Sequence, residues 1–286
     1  MAIVRDRALL LKRYPFSESS LVVHLCTRDH GRVHLLAKGA YRPTSRYFAV
    51  LDLLDTLEIE WDHVPRRDLA NLRSGTILRR RRAIPDDRSR WFAANGMLEL
   101  ADMASRPAHP DPALYDLLEG GLNELESGES PADVVLVAFE LAYLEVLGLF
   151  PALLDCAACG GCAAPVVAPA QGLSSGTARG TNRSRAAFSA GAGGRLCRTC
   201  AEEARASGRR VGTLPVTTLD DARGFLRKGV GLAVETRSGL SQARLDRVRD
   251  FVGRFLDYHL AARPRTHRAF LSHANRNATP ETAEAV

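Results

Sequence analysis

Two Cys-x-x-Cys pairs, Cys156-Ala157-Ala158-Cys159 and Cys197-Arg198-Thr199-Cys200, constrain this chain more than any other feature. The spacing lets two thiolates grip one metal from a single tight turn, and two such pairs supply the four soft ligands of a tetrahedral zinc site. With all four positions filled by sulfur there is no place for a reacting water, so the zinc is expected to be structural. The 37 residues between the pairs, 160–196, are no obstacle, because loop-closure entropy grows slowly with length. Such a metal contributes about 10 to 16 kcal/mol in small domains, enough to organise a segment poor in apolar residues. Cys162 makes Cys159-Gly160-Gly161-Cys162 an equally spaced pair. Cys156 with Cys159 is preferred, since Gly160 then supplies the tight backbone after the knuckle, and Cys162 is held as a spare. Cys26, on an expected strand, reads as a core cysteine.

The rest of the composition is that of a soluble globular protein, with 45% hydrophobic and 25% charged residues. No run of 18 apolar residues is present to span a bilayer, and the first residues have neither the length nor the cleavage site of a signal segment. A cytoplasmic protein is expected, and with it zinc rather than disulfides. The net charge of +6 hides three blocks. Residues 1–82 hold 16 Lys and Arg against 9 Asp and Glu, residues 83–155 hold 3 against 14, and residues 156–286 hold 20 against 10. An acidic middle between basic ends points to separate binding surfaces.

The first block reads as five strands. Ile3 to Tyr14 is the first; Ser20 to Thr27 alternates, and Asp29-His30-Gly31 turns it into Arg32 to Ala37. Thr56 to Trp61 places Leu57, Ile59 and Trp61 inward, and Leu69 to Leu78 is the fifth. Five short antiparallel strands, with a long excursion between the third and fourth, suit a Greek-key barrel of the OB-fold type. After Pro85 the period becomes helical: Trp91, Ala94, Leu98 and Met103 mark one helix, and Leu114 to Leu125, opened by Asp111-Pro112, a second. A third, from Ser130-Pro131 to Gly148, is apolar enough to be the buried centre of a bundle. Helical patterns return at Thr218 to Leu226 and Leu240 to Leu260. The fold class expected is therefore α+β: an OB-fold barrel over residues 1–82, a helical domain over 83–155 and 211–271, a four-cysteine zinc insertion over 156–210, and a disordered tail over 272–286. Residues 171–185, rich in Gly, Ser, Thr and Arg, are expected to be a mobile loop.

The excursion Lys38-Gly39-Ala40-Tyr41-Arg42-Pro43-Thr44-Ser45-Arg46-Tyr47-Phe48 interleaves three cations with three aromatic rings. Cations neutralise phosphates and ring faces accept unstacked bases, so Lys38, Arg42 and Arg46 are candidate nucleic-acid contacts. The alternative for Tyr47 and Phe48 is that they plug the barrel. The run Arg79-Arg80-Arg81-Arg82 is less specific, because four consecutive strand residues cannot face one ligand. Nothing supports catalysis. The eight histidines form no HExxH or HxE arrangement, the residues before the cysteine pairs are not those of a zinc deaminase, and P-loop, GxGxxG and GxSxG motifs are absent.

The order of motifs resembles a known family. Arg28-Asp29-His30-Gly31-Arg32-Val33, Leu36-Ala37-Lys38-Gly39-Ala40 and Ser45-Arg46, then a helical part, the two cysteine pairs and Phe255-Leu256-Asp257-Tyr258-His259-Leu260, is similar to the bacterial recombination mediator family RecO. The likeness covers nearly the whole chain. It implies DNA contacts at Arg28, Arg32, Lys38, Arg42 and Arg46, and a structural zinc on Cys156, Cys159, Cys197 and Cys200. It implies a non-enzymatic role at the nucleoid: binding single- and double-stranded DNA, annealing strands coated with single-stranded DNA-binding protein by way of that protein's C-terminal tail, and, with RecR and RecF, loading RecA. Tyr41 stands where the family often has a basic residue, and the segment between the cysteine pairs is longer than usual. The competing reading of the residues is an RNA-binding or transcriptional zinc-ribbon adaptor; a hydrolase using the zinc is a third.

Overall fold

Alternating apolar residues in the first 80 positions build five strands that close on one another in the computed structural model, which describes residues 2–42, 44–45, 47, 50–63, 68–164, 166–167, 184–225, 240–260 and 266. The strands are β1 (Ala2–Pro15), β2 (Leu21–Thr27), β3 (Gly31–Ala37), β4 (Thr56–His63) and β5 (Ala70–Arg79). They form a closed barrel in the order β1-β2-β3-β5-β4, with β4 paired back to β1 and only the β3–β5 pair parallel. This is the expected OB-type barrel.

Leu10, Val23, Leu25, Leu35, Leu57 and Ile59 fill its interior, each large side chain worth about 1.5 to 3 kcal/mol on full burial. Tyr47 is buried among them, its hydroxyl donating to the carbonyls of Leu72 at 3.0 Å and Arg73 at 2.9 Å. It plugs the barrel and is not available to a base; Arg46 and Phe48 lie outside the described residues. At the β2–β3 turn Gly31 has φ +71°, and a Cβ there would meet the His109 carbonyl oxygen at 2.4 Å, so only glycine fits. A register shift between Leu10 and Lys12 turns β1 so that Lys12 and Tyr14 pair with His24 and Val22 on the outer face.

Pro85 and the acidic block give α1 (Ala83–Asp86), α2 (Arg88–Ala104), α3 (Pro112–Ser127) and α4 (Ala132–Val146). Asp87 and Asp111 cap α2 and α3 by accepting from Arg90 N and Leu114 N. The buried stripe of α2 runs through Ala94, Met97, Leu98 and Ala101; Trp91, expected on that stripe, is instead exposed. Gly121 on α3 lets Met97 and Phe139 approach to 3.0 Å of where its Cβ would stand. The chain divides into two compact units, one up to Phe139 together with Thr266, the other beginning at Glu140 within α4.

The first unit is held by acids of its helices meeting donors of its barrel. Asp102 on α2 takes Lys12 and Arg32, Asp116 on α3 takes Arg28, and Glu119 accepts from Thr56 Oγ1 at 2.9 Å. The Glu126 carboxylate accepts from the amides of Arg82, Ala83 and Ile84 at 2.8 to 3.2 Å. Burial pushes its pKa up, but those amides outweigh burial and hold it below the usual carboxylate range. Arg81 is buried at the barrel end. It donates to Leu54 O, to Asn123 Oδ1 at 2.6 Å and to Thr56 Oγ1 at 3.2 Å, while its amide donates to Asp55 at 2.9 Å.

The second unit holds a small sheet that alternation does not foretell: β6 (Val166–Val167), β7 (Ser184–Ser189), β8 (Gly194–Leu196) and β9 (Gly212–Pro215), with β7 paired to each of the others. Ser184 and Arg185, expected in the mobile loop, thus belong to a strand; residues 171–183 and the expected tail at 272–286 lie outside the described residues. Its helices are α5 (Arg198–Ala206), α6 (Val216–Arg223) and α7 (Gln242–His259). Phe188 of β7 meets Phe251 and Phe255 of α7 edge-on at 5.2 and 6.1 Å, and Arg244 of α7 pairs with buried Asp221 of α6. Among the described residues no helix is long and apolar enough to cross a membrane.

The Arg81 contacts lead to a stability prediction. Arg81→Met keeps bulk but strands the Leu54 and Asn123 acceptors, each costing roughly 1 to 3 kcal/mol. A loss on the order of 3 kcal/mol is expected from urea unfolding, and Arg81→Lys, lacking the fork, should recover little of it.

Candidate metal centre and nucleic-acid interface

Backbone turns bring the two cysteine pairs together. The first is a knuckle in which Cys156 N donates to Gly161 O and Gly160 N to Cys156 O, both at 2.8 Å, with Gly160 at φ +71°. The second is carried by β8 into α5: Cys197 is the residue before the helix, and Cys200 sits in its first turn. Arg195, buried on β8, joins the two. Its carbonyl accepts from Ala157 N at 2.8 Å and its guanidinium donates to Ala163 O.

The sulfurs of Cys156, Cys159, Cys197 and Cys200 all lie within 4.8 Å of one another, with Cys159 and Cys197 at 4.0 Å. A zinc with four sulfurs at about 2.3 Å sets edges of about 3.8 Å, so the donor set fits such an ion. Cys162 pairs in backbone register with Asp155 and stays outside the group, leaving Cys156 as the partner of Cys159. Burial pushes the Cys156 thiol up, but amide N–H groups of Cys197, Cys159 and Ala158 outweigh this and hold it at about 6; hydrogen bonds to the Cys197 and Cys159 sulfurs push Cys200 up. Those shared protons must leave when four thiolates take a metal. Cys26, by contrast, is a core thiol pushed up to about 12, chiefly by burial.

Of the five cations expected to touch DNA, Arg46 lies outside the described residues, and the other four do not form one patch. Arg28 is held by Asp116 in a forked pair, 3.0 and 3.2 Å, and Arg32 donates to the Asp102 carbonyl at 3.0 Å. Both belong to the hairpin end that faces α2 and α3. Lys38 and Arg42 lie past the other end of β3, with Lys38 six residues or about 20 Å from Arg32 at the usual strand rise. Both are exposed and neither has an ion-pair partner among the described residues. They share a turn in which Arg42 N donates to Gly39 O at 3.1 Å and Gly39 has φ +67°. Tyr41 is exposed on it, and Tyr41 N donates to Ser19 O at 3.0 Å, tying the turn to the β1–β2 loop. That loop carries Phe16, a residue that motif and period do not single out. Its one signal in the sequence is an aromatic among Ser and Glu between two strands.

Metal content separates the ligands from the spare. Cys156→Ser should lower zinc from one ion per chain to a small fraction and lower the melting temperature, whereas Cys162→Ser should leave both unchanged, as read by zinc release with a colorimetric chelator. Loss of zinc in Cys162→Ser would move that residue into the ligand set.

Comparison with known proteins agrees with this layout. Residues 1–81 match the family model described as recombination protein O N terminal, and residues 85–269 the model described as recombination protein O C terminal. A curated relative from Exiguobacterium sibiricum, described as DNA repair protein RecO, is 32% identical over 201 residues, which is 70% of this chain and 72% of that protein. A five-strand barrel followed by helices and a four-cysteine cluster, matched along both parts, establishes that this chain belongs to the RecO family of DNA repair and recombination proteins.

Proposed function

We propose that this chain is a non-catalytic recombination mediator that binds single- and double-stranded DNA and anneals complementary strands. With RecR and RecF it would help load RecA onto DNA coated by single-stranded DNA-binding protein, whose C-terminal tail it captures, in the cytoplasm at the nucleoid. The family membership supports a repair role, and one observation carries the DNA reading: Lys38 and Arg42 stand exposed and, among the described residues, without acidic partners at one end of a closed OB-type barrel. Cations so placed neutralise phosphates, which lowers the repulsion between two backbones while base pairing itself supplies the free energy. A zinc on the four cysteines would be structural in this reading, organising the second unit and leaving no open coordination position. Arg28 and Arg32 take part in DNA contact only by exchanging Asp116 and Asp102 for phosphate, so Lys38 and Arg42, with Arg46 beside them in sequence, are the main contacts.

The test is strand annealing, with and without single-stranded DNA-binding protein, on protein of measured zinc content. Changing Lys38, Arg42 and Arg46 together to Ala should weaken single-strand binding and flatten its log-log salt slope by about 0.7 for each phosphate no longer neutralised. Unchanged affinity and slope would sink the assignment. Tight binding of structured RNA without annealing would favour an adaptor instead.

A further inference from the structure

The second unit holds a cavity of about 770 Å³ where the end of β7 meets the start of β9 and the last turns of α7. Its size is that of a small-ligand site. Arg209, Arg210 and Arg254 line it, and among the described residues no carboxylate does. The backbone holds the first two in place. Arg209 N donates to Ala204 O at 2.9 Å where α5 closes, and Gly212, two residues past Arg210, is in register with Phe188 of β7. Arg254 and Tyr258 are four residues apart and so share a face of α7. Arg254 has Asp250 at 3.0 Å in an exposed pair. Arg209 and Arg210 are exposed and, among the described residues, have no ion-pair partner. The Tyr258 ring reaches over Gly191, where a Cβ would meet its hydroxyl at 2.5 Å, and the residue is 60% exposed. The wall also includes Ser189, 1% exposed, whose hydroxyl has no hydrogen-bond partner among the described residues.

We propose that this cavity binds a phosphate monoester carried on a nucleoside, either a free nucleotide or the 5′-phosphorylated end of a strand, with Arg209 and Arg210 on the phosphate and Tyr258 against the base. The charge selects the ligand. Two guanidinium groups without acidic partners match a monoester, which carries about −1.5 to −2 at neutral pH and offers three acceptor oxygens. A peptide carboxylate or a diester inside a strand brings a single charge and two free oxygens, and would leave one guanidinium uncompensated. Arginine forks bind phosphoryl oxygens in pairs, which adds direction to the charge. A phosphoryl oxygen also suits the Ser189 hydroxyl, since a buried donor without an acceptor costs free energy. The carbonyl end of α5, which would repel an anion, is closed off: Gly208 N donates to Arg205 O at 3.0 Å and Arg209 N to Ala204 O. The exposed Tyr258 ring accepts any base, because every base has a π-face. The site belongs to the second unit and does not depend on the DNA reading above, which rests on Lys38 and Arg42 of the first.

The experiment uses full-length protein of measured zinc content in phosphate-free buffer, and compares wild type with an Arg209→Gln, Arg210→Gln double variant and with Tyr258→Ala. The probes are dTMP, thymidine, and an oligothymidylate bearing either a 5′-phosphate or a 5′-hydroxyl. Wild type should bind dTMP and not thymidine, and the double variant should lose at least about tenfold in dTMP affinity. Tyr258→Ala should weaken dTMP while leaving the binding of inorganic phosphate unchanged. A 5′-phosphorylated strand that binds wild type more tightly than the 5′-hydroxyl strand, with the two equal in the double variant, identifies the strand end as a source; dTMP binding without that advantage identifies the free nucleotide. Thymidine binding as well as dTMP, or dTMP affinity unchanged in the double variant, overturns the site. Unchanged dTMP affinity in Tyr258→Ala does so too, since the nucleoside would then go unread. So does a double variant that keeps dTMP but no longer binds the C-terminal peptide of single-stranded DNA-binding protein, because the cavity would then be a protein surface. Should the double variant fail to melt cooperatively, wild type decides the matter through phenylglyoxal modification read by mass spectrometry: protection of Arg209 and Arg210 by dTMP supports the site, and no protection overturns it. Wild type that binds dTMP here but no strand through Lys38 and Arg42 defeats only the DNA reading; the reverse defeats only this site.

Discussion

The first unit depends on acids of its helices satisfying donors at the rim of its barrel. Asp102 stands between Lys12 and Arg32, Asp116 forks onto Arg28, and Glu126 receives three successive amides where the chain leaves the last strand. Arg81 closes the same seam from the barrel side by reaching Asn123 on α3. The Arg28–Asp116 pair is exposed and screened by water, whereas Asp102 is buried, so the number of pairs says little about stability. Their position says more. They fix the strands 2 and 3 hairpin against α2 and α3, and so decide which part of the barrel wall stays open.

The charge blocks of the sequence acquire a different meaning from this seam. A basic segment followed by an acidic one reads as two surfaces for two partners. Within the first unit the acidic helices are instead in part the counter-charge of the barrel. Arg5 with Glu58, Arg73 with Asp62 and Arg80 with Asp55 consume further cations of the barrel segment. A count of lysines and arginines therefore overstates the charge available to phosphate, and the exposed pair Lys38 and Arg42 carries more weight than the block total. Arg28 and Arg32 show why sequence alone could not make this distinction: their partners stand 88 and 70 residues away.

Much of the barrel was legible because each strand has one wet and one dry face. Leu57, Ile59 and Trp61 announce both the strand and its inward side, Leu21, Val23 and Leu25 mark one face of theirs, and all six are buried. The helix cap Asp111 was equally readable, being a short acceptor just before Pro112 and a helical period. The sheet of the second unit was not. Its strands are two to six residues long, and β7 reads Ser-Arg-Ala-Ala-Phe-Ser, in which no alternation separates a core face from a solvent face. Only Phe188 is large, and its partners Phe251 and Phe255 are on a helix far along the chain.

The cysteine pairs were the exception in that unit, legible because a knuckle is encoded locally: two sulfurs, a tight turn and a glycine. What the spacing could not choose was which pair serves. Cys156 with Cys159 and Cys159 with Cys162 are equivalent as text, and the choice is made by backbone bonds. Gly160 N and Cys156 N close the turn around the first pair, while the carbonyl of Arg195 anchors Ala157 beside the second. The core around them is Leu196 with Ala163, Ala187, Ala201 and Ala204, mostly small side chains that bury little area. A segment built this way depends on a cross-link more than the barrel does, and four converging sulfurs next to an arginine tying two stretches of chain are its natural place. The same logic explains why the sites separate: the barrel, rich in large apolar residues, can leave rings such as Tyr14 and Phe16 exposed, while the alanine-rich segment around the cysteines keeps its strongest ligands for its own fold.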